Sequence, residues 1–282
     1  MIGRFASPTA FRQSLEQRLL AAYGGGRVNQ ARKRLATERL VVRFQEQRPS
    51  GFVAKGGFAL DLRLEGRFRG TRDLDVAAEP ELTAEVDPVS DEIEAACNID
   101  VSDGFEFRLE GEPEILAVDG EARTLRYLVA VRVDGRLFEM VPVDVRTGDA
   151  IPARFDELQG SDLLDFAGIN SPLIRVIPLE YHFAEKVHAY TRQRDRQNTR
   201  IRDLVDLHAL IELGTPGGSA TKEALREIFW HRKTDEIPSS LPNPPADWRE
   251  GFALLARLMA GVPEDITTAF ERISGFYAGV WR

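Results

Sequence analysis

Between Pro8 and Tyr23 the apolar residues Phe11, Leu15, Leu19 and Leu20 fall on one helical face, and Gly24-Gly25-Gly26 follows as a stop. From Val28 to Gln47, Ala31, Leu35, Leu40, Val41 and Phe44 interleave with Arg32, Lys33, Arg34, Arg39 and Arg43, which predicts a second, basic amphipathic helix closed by Pro49-Ser50-Gly51. The period then changes. Phe52-Val53-Ala54 predicts a short strand, Gly56-Gly57 a tight turn, and Phe58 to Glu65 a helix. Asp73-Leu74-Asp75-Val76-Ala77-Ala78 alternates polar with apolar, as a half-buried strand does. Two strand-like runs between Arg123 and Val145 flank Asp134-Gly135, a dipeptide suited to a two-residue hairpin turn. Pro142 in the second run cannot donate to a ladder, so that strand should be an edge or carry a bulge there. Beyond Pro178 the pattern is helical, near residues 179–194, 200–213, 221–231, 247–260 and 263–275, with linkers at Gly214–Ser219 and Pro238–Pro245. The expectation is an α/β (α+β) chain in two domains, an antiparallel-rich α/β half over residues 1–178 and a helical half over 179–282.

Composition changes this picture only at its margins. With 282 residues, one or two cores are expected. No stretch approaches the roughly 18 apolar residues that span a bilayer, and the first residues, Met1 to Pro8, lack the apolar segment of an export signal. A cytoplasmic location follows as the expectation, without a membrane partner. Cys97 is the single cysteine, which excludes an internal disulfide and a thiolate metal site and agrees with a reducing compartment. A net charge of -8 argues against indiscriminate coating of nucleic acid, so any such binding must rest on local basic patches.

The chemistry concentrates around Asp73-Leu74-Asp75. Residues two apart on a strand project to one side, about 6–7 Å apart, and carboxylates so placed suit Mg²⁺, which binds through one or two carboxylates plus substrate phosphates. Leu74 would face the core. Such a pair on its own is also common on solvated strands. Its context is more telling: Lys55-Gly56-Gly57 lies upstream before a helix, and Arg69-Gly70-Thr71-Arg72 leads directly into the strand. Glycines admit backbone N–H groups close to an anion, and a helix N-terminus adds positive charge, so the segment fits nucleotide phosphates; a plain tight turn is the other reading of the two glycines. Asp144, in a strand of apolar neighbours, is the candidate third carboxylate. It shares its parity with Phe138, Met140 and Pro142, and needs a metal or a cation opposite it, a salt bridge being as good a reading as a metal site. His182 and His188 have no Cys or further close His to complete a zinc pattern and read as structural or peripheral. No G-x-S-x-G, H-E-x-x-H or Walker-type loop is present.

These residues also carry a resemblance. The array Lys55-Gly56-Gly57-Phe58-Ala59-Leu60 followed by Arg69-Gly70-Thr71-Arg72-Asp73-Leu74-Asp75 resembles the AbiEii/MenT nucleotidyltransferase toxins of the polymerase-β-like superfamily. Ala184-Glu185-Lys186-Val187-His188-Ala189 is similar to that family's A-E-K-x-x-A helix, and Arg202-Asp203-Leu204-Val205-Asp206-Leu207 to its R-x-x-D-x-x-D-L element. The likeness runs to about Ile211, with the remainder resembling a variable helical extension. The resemblance implies a polymerase-β-like domain with a mixed sheet followed by a C-terminal helical bundle. It implies catalytic roles for Asp73, Asp75, Lys186 and Asp203, nucleotide binding by Lys55, Gly56, Gly57, Arg69, Thr71 and Arg72, and metal ligation by Asp73, Asp75 and Asp144. A lysine paired with Asp203 or Asp206 on the surface is the other reading of Lys186.

The activity so implied is transfer of a nucleoside monophosphate from an NTP to an acceptor, with Mg²⁺ or Mn²⁺. The implied acceptor is the 3′ end of tRNA, the implied effect a block of translation, and the implied partner a cognate antitoxin. Two basic surfaces are available for tRNA, the helix carrying Arg32, Lys33, Arg34, Arg39 and Arg43, and the run Arg192, Arg194, Arg196, Arg200 and Arg202. The alternatives are a protein or small-molecule acceptor, and a catalytically silent nucleotide- or RNA-binding module.

Overall fold

Ser7 caps the first helix, its side chain accepting from the Ala10 backbone N–H at 3.2 Å, and Pro8 occupies a first-turn position where no N–H is needed. The helix, α1 (Pro8–Gln47), runs through the predicted stop: Gly24 alone leaves the helical region, at φ 64°, so the glycines make a kink between two helical segments. In this computed structural model the described residues are 5–49, 51–65, 70–78, 86–119, 122–146, 152–192, 200–214, 217–232 and 236–282. After α1 come β1 (Phe52–Lys55), α2 (Gly56–Arg63), β2 (Leu74–Ala78), α3 (Val86–Cys97), β3 (Phe105–Asp119), β4 (Ala122–Val133), β5 (Arg136–Arg146), β6 (Asp156–Gln159) and β7 (Leu173–Val176). The helices α4 (Leu179–Thr191), α5 (Ile201–Leu213), α6 (Gly218–Arg232), α7 (Arg249–Ala256) and α8 (Ile266–Val280) complete the chain.

The strands form one seven-stranded mixed sheet in the order β3-β4-β5-β2-β1-β7-β6. β2 pairs parallel with β5 and β1 parallel with β7, while β1–β2, β3–β4 and β4–β5 are antiparallel. Alternation sends Leu74 and Val76 of β2, Leu125, Tyr127 and Val129 of β4, and Val141, Val143 and Val145 of β5 into one core with Phe11, Leu15, Leu35 and Phe44 of α1 and Val89 and Ile93 of α3. The β4–β5 hairpin turns at Asp134 and Gly135, whose φ angles of 55° and 66° are those of a type I′ turn. Pro142 sits opposite Leu128 of β4, and the pairing with β2 begins one residue later at Val143, so the strand is locally an edge where the donor is missing.

The basic helix does not present its arginines to solvent as expected. Arg39 and Arg43 are buried, at 5% and 1% exposure, and both hold Asp103, which is fully buried. Arg39 Nε donates to Asp103 Oδ2 at 2.6 Å, and the Arg43 guanidinium donates to Oδ2 at 3.0 Å, to Oδ1 at 2.8 Å and to the Phe105 carbonyl at 2.8 Å. Burial would raise the Asp103 pKa, but the Arg43 and Arg39 guanidinia outweigh it and hold the carboxyl below its ordinary value. Arg34 is likewise turned to Glu38 at 2.9 Å and Asp61 at 3.5 Å, and Arg32 lies over the Phe138 ring at 5.3 Å. The charge pattern that reads as a nucleic-acid surface is largely a set of internal ion pairs.

Two compact units are present. The first comprises the sheet with α1, most of α2 and α3; the second comprises Ile177–Arg282 with short pieces at Arg63 and Pro152–Asp156. Those pieces are tied in by hydrogen bonds: Arg63 donates to Asp156 at 2.8 Å and to the Ile177 carbonyl at 2.7 Å, and the Leu179 N–H donates to Asp156 at 3.1 Å. The helical unit is built on Phe183, Val187, Leu204, Leu207, Leu225, Phe252 and Ile273, all fully buried. His182 and His188 are buried there too, His188 edge-on to Phe229 with centroids 4.9 Å apart, which agrees with the structural reading. Among the described residues no helix is long and apolar enough to cross a membrane.

Candidate active site

The register of the sheet places charged residues in a line across five strands. Lys55 of β1 is opposite Asp75 of β2, Asp75 opposite Asp144 of β5, Asp144 opposite Arg126 of β4, and Arg126 opposite Glu114 of β3. Residues directly opposite each other share a face, and neighbouring strands are about 4.8 Å apart, so the carboxylates of Asp75 and Asp144 are adjacent. Their chain neighbours Leu74, Val76, Val143 and Val145 belong to the core. The row therefore lies on the sheet face opposite α1 and α3.

Asp144 reaches this face by a different parity from the expected one. Val131 pairs with Glu139 and Arg132 with Leu137, leaving Phe138 as an extra residue in a β-bulge. The bulge turns Phe138 inward, where it meets Phe105 edge-on at 5.5 Å, and resets the alternation so that Val141, Val143 and Val145 carry the core. Met140, Pro142 and Asp144 thus share the outer face, not the apolar one with Phe138.

Asp73 immediately precedes β2. The Thr71 hydroxyl donates to its carbonyl at 3.0 Å and to its Oδ1 at 3.4 Å, so Thr71, expected to bind nucleotide, positions a carboxylate here. Arg126, which the sequence reading passed over, joins the site together. Its Nε donates to Asp144 Oδ1 at 2.7 Å and its Nη2 to Oδ2 at 2.7 Å, a two-point clasp, while Nη2 also donates to Asp73 Oδ2 at 3.0 Å. Hydrogen bonding to Asp144, with the charges of Asp144 and Asp73, holds the guanidinium above its ordinary pKa. The only sequence signal for it is an arginine between the apolar pair Leu125 and Tyr127 on a core strand.

Gly56 opens α2 at φ 60°, a conformation that favours glycine, and it packs on Asp75: a Cβ there would lie 2.8 Å from Asp75 Cγ and 2.9 Å from its Cβ. The helix N-terminus thereby opens at the Lys55–Asp75 end of the row. Lys55 is buried at 6% exposure, Arg72 is exposed beside Asp73, and Arg69 lies outside the described residues. Gly70, at φ 78°, passes against Gln30 of α1 so closely that a Cβ would stand 2.7 Å from its amide nitrogen.

In the helical unit, Lys186 of α4 donates to Asp203 at 3.0 Å and to Asp206 at 2.8 Å, both on α5. The two aspartates are nearly or fully buried, at 4% and 0%. Burial alone would lower the lysine's pKa; the two carboxylates outweigh it and hold the ammonium above its ordinary value. This is a paired lysine as the alternative reading had it, but a largely buried one. The R-x-x-D spacing falls on Arg200, whose Nη1 is 3.7 Å from Asp203, rather than on Arg202. Of the second basic run, Arg200 and Arg202 are exposed and Arg192 is half-buried, while Arg194 and Arg196 lie outside the described residues.

A family model bears on what these residues do. The model of the nucleotidyl transferase AbiEii toxin, of type IV toxin–antitoxin systems, matches residues 39–274. The chain belongs to the AbiEii family. As an AbiEii protein it is a nucleotidyltransferase, of a family that uses an NTP and a divalent metal and whose toxins are paired with antitoxins. The match extends through Ser274, so the last helices belong to the family region rather than to a variable extension beginning near Ile211. Among solved structures, the nucleotidyltransferase toxin MenT4 of Mycobacterium tuberculosis H37Rv is 20% identical, with a TM-score of 0.57 over 96% of this chain and 89% of that one. At that identity the likeness concerns the fold. An antigenic nucleotidyltransferase-like protein of Paracoccidioides brasiliensis is 18% identical over 72% of this chain and 95% of that one, with a TM-score of 0.37 that supports no structural argument. No curated protein matches the chain at the sequence level.

The row fits a divalent cation by its chemistry. Asp73, Asp75 and Asp144 offer hard oxygen donors on or beside one sheet face, and Mg²⁺ needs only one or two such groups when phosphates and water supply the rest. It is not a ready-made cage: among the described residues no three His, Cys, Asp or Glu side chains already converge as metal ligands.

Proposed function

We propose that this AbiEii protein transfers a nucleoside monophosphate from an NTP to the 3′ end of tRNA and so blocks translation. The observation that carries the reading is the row itself, in which Asp75 and Asp144 stand side by side between the cations Lys55 and Arg126, with Asp73 held at Arg126. In this transfer the acceptor oxygen bonds to the α-phosphorus, the bond to the bridging oxygen breaks, and pyrophosphate leaves. A divalent cation, Mg²⁺ or Mn²⁺, held by Asp73, Asp75 and Asp144 would neutralise the phosphates and align them. Gly56 and Gly57 let the α2 N-terminus approach the phosphates, and Lys55 and Arg72 add positive charge beside them. Asp144 is our assignment for the group that takes the acceptor's proton. Lys186, set by Asp203 and Asp206, is the helical unit's candidate catalytic residue in this reading.

The tRNA acceptor rests on the family resemblance. Exposed Arg200 and Arg202 support it, whereas the burial of Arg39 and Arg43 removes one of the two basic surfaces and keeps a protein or small-molecule acceptor as the second reading. The lone, buried Cys97, whose thiol burial pushes up to about 12, is compatible with cytoplasmic residence beside an antitoxin. Incubation with total tRNA and total protein, using each α-labelled NTP in turn, tests the reading. Label in tRNA supports it, label in protein favours the second reading, and no transfer to tRNA with any NTP contradicts the first.

A further inference from the structure

Arg126 occupies the place where the proposed reaction needs a metal ion. Both carboxylate oxygens of Asp144 and one of Asp73 are engaged by its guanidinium, at 2.7, 2.7 and 3.0 Å. A carboxylate in a two-point clasp with arginine has its best-placed lone pairs consumed. A divalent ion brought to the same oxygens would stand within a few ångströms of a fixed positive charge, which is strongly unfavourable at the edge of a protein interior. Three oxygens of two carboxylates thus meet the guanidinium, and among the described residues no trio of possible metal ligands converges on one point. Arg126 also has somewhere to go: its side chain is 30% exposed, and Asp73 is 34% exposed, whereas Asp144 is anchored at 11%.

We infer that Arg126 is a resident counter-ion that exchanges with the divalent cation at Asp73 and Asp144. This rests on the metal reading above and extends it. In the metal-free protein the guanidinium holds the two carboxylates in place against their mutual repulsion. When the cation arrives with the nucleotide, the arginine releases both aspartates and swings toward solvent, where its planar fork is suited to the phosphates that accompany the metal. Metal affinity in the absence of nucleotide is accordingly held down by the residue that keeps the ligands ready. Nucleotide, by giving Arg126 new partners, raises it.

The test is Mn²⁺ binding to the full chain, without nucleotide, followed by electron paramagnetic resonance and calorimetry on wild type, Arg126→Met and Arg126→Lys. Arg126→Met should bind Mn²⁺ about ten-fold or more tightly than wild type, the scale of one surrendered charge-assisted hydrogen bond. Arg126→Lys, with a single-point ammonium in place of the clasp, should fall between them. Adding Asp144→Asn to Arg126→Met should abolish the gain. In wild type, the Nε–H resonance of Arg126, assigned by its loss in Arg126→Lys, should shift and lose protection from exchange as Mg²⁺ is added, and this needs no destabilised variant. Equal or weaker Mn²⁺ binding by Arg126→Met, or an undisturbed Nε–H at saturating Mg²⁺, would overturn the exchange while leaving the metal site standing. Failure of both wild type and Arg126→Met to bind Mn²⁺ would instead remove the metal site itself and the exchange with it.

Discussion

Gly56→Ala separates the two demands placed on one glycine. At φ 60° an alanine costs about 1–2 kcal/mol in backbone strain. Its Cβ would also lie 2.8 Å from Asp75 Cγ, where carbon atoms settle at about 3.5–4.0 Å, so the carboxylate must retreat by nearly an ångström or more. Asp75 is hemmed in by its register partners Lys55 and Asp144, and a displacement of that size at a reacting centre can cost about 100-fold in rate. Gly135→Ala supplies the comparison: its φ of 66° imposes the same strain, but nothing lies within 4 Å of an added Cβ. Gly135→Ala should therefore lose about 1–2 kcal/mol in urea unfolding followed by circular dichroism, and Gly56→Ala that much plus about 1–3 kcal/mol for the overpacking at Asp75. Only Gly56→Ala should lose transfer of α-labelled nucleotide, by about two orders of magnitude. A Gly56→Ala enzyme within about three-fold of wild type would show that the close approach to Asp75 does not set the site's geometry.

Three other outcomes follow from the same structure. Asp103→Ala leaves Arg39 and Arg43 buried without their carboxylate and should cost about 3–5 kcal/mol of stability, read by denaturant unfolding; a loss below about 1 kcal/mol would mean the ion pairs are incidental. Asp61 has its pKa raised from 3.8 to about 6, by burial first and by Glu38, against the pull of Arg34. Its folded pKa lies above its unfolded one, so the charged form costs stability as pH rises through about 6, and Asp61→Asn should raise the unfolding free energy at pH 8 by up to about 3 kcal/mol, with the gain vanishing toward pH 4. A gain that is the same at both pH values would refute this. Lys186→Ala should lower turnover more than it weakens NTP binding, and its double mutant with Asp203→Ala should lose much less than the two single losses combined; additive losses in single-turnover kinetics would mean the pair does not act as a unit.

The elements that repeat a simple period were legible in the sequence. The two arms of α1, the Asp134-Gly135 turn and the helices after Pro178 are set by local spacing and turn chemistry, and they lie close to where the pattern puts them. What the chain alone does not disclose depends on partners far away in sequence. β3, β6 and β7 were not foreseen: β3 carries charges such as Glu106, Arg108 and Glu110 at every second position and is a strand because β4 lies beside it. Arg39 and Arg43 read as a basic surface because their partner, Asp103, is about sixty residues away. Asp144 was found, but its face was misassigned, since a bulge at Phe138 shifts the alternation and no residue there announces one. Arg126 was missed for a related reason. Its role comes from cross-strand register, which brings β4 against β5 and β5 against β2, and not from any motif.

The central claim, that carboxylates of this row drive nucleotide transfer with a divalent cation, is tested most directly with Asp75→Asn. The variant keeps the shape of the side chain and removes its charge, so the fold should melt within a few degrees of wild type. With each α-labelled NTP, total tRNA and Mg²⁺, wild type should transfer label and lose that activity in EDTA without unfolding, while Asp75→Asn should transfer none above background. Transfer by Asp75→Asn at a rate near wild type would contradict the account.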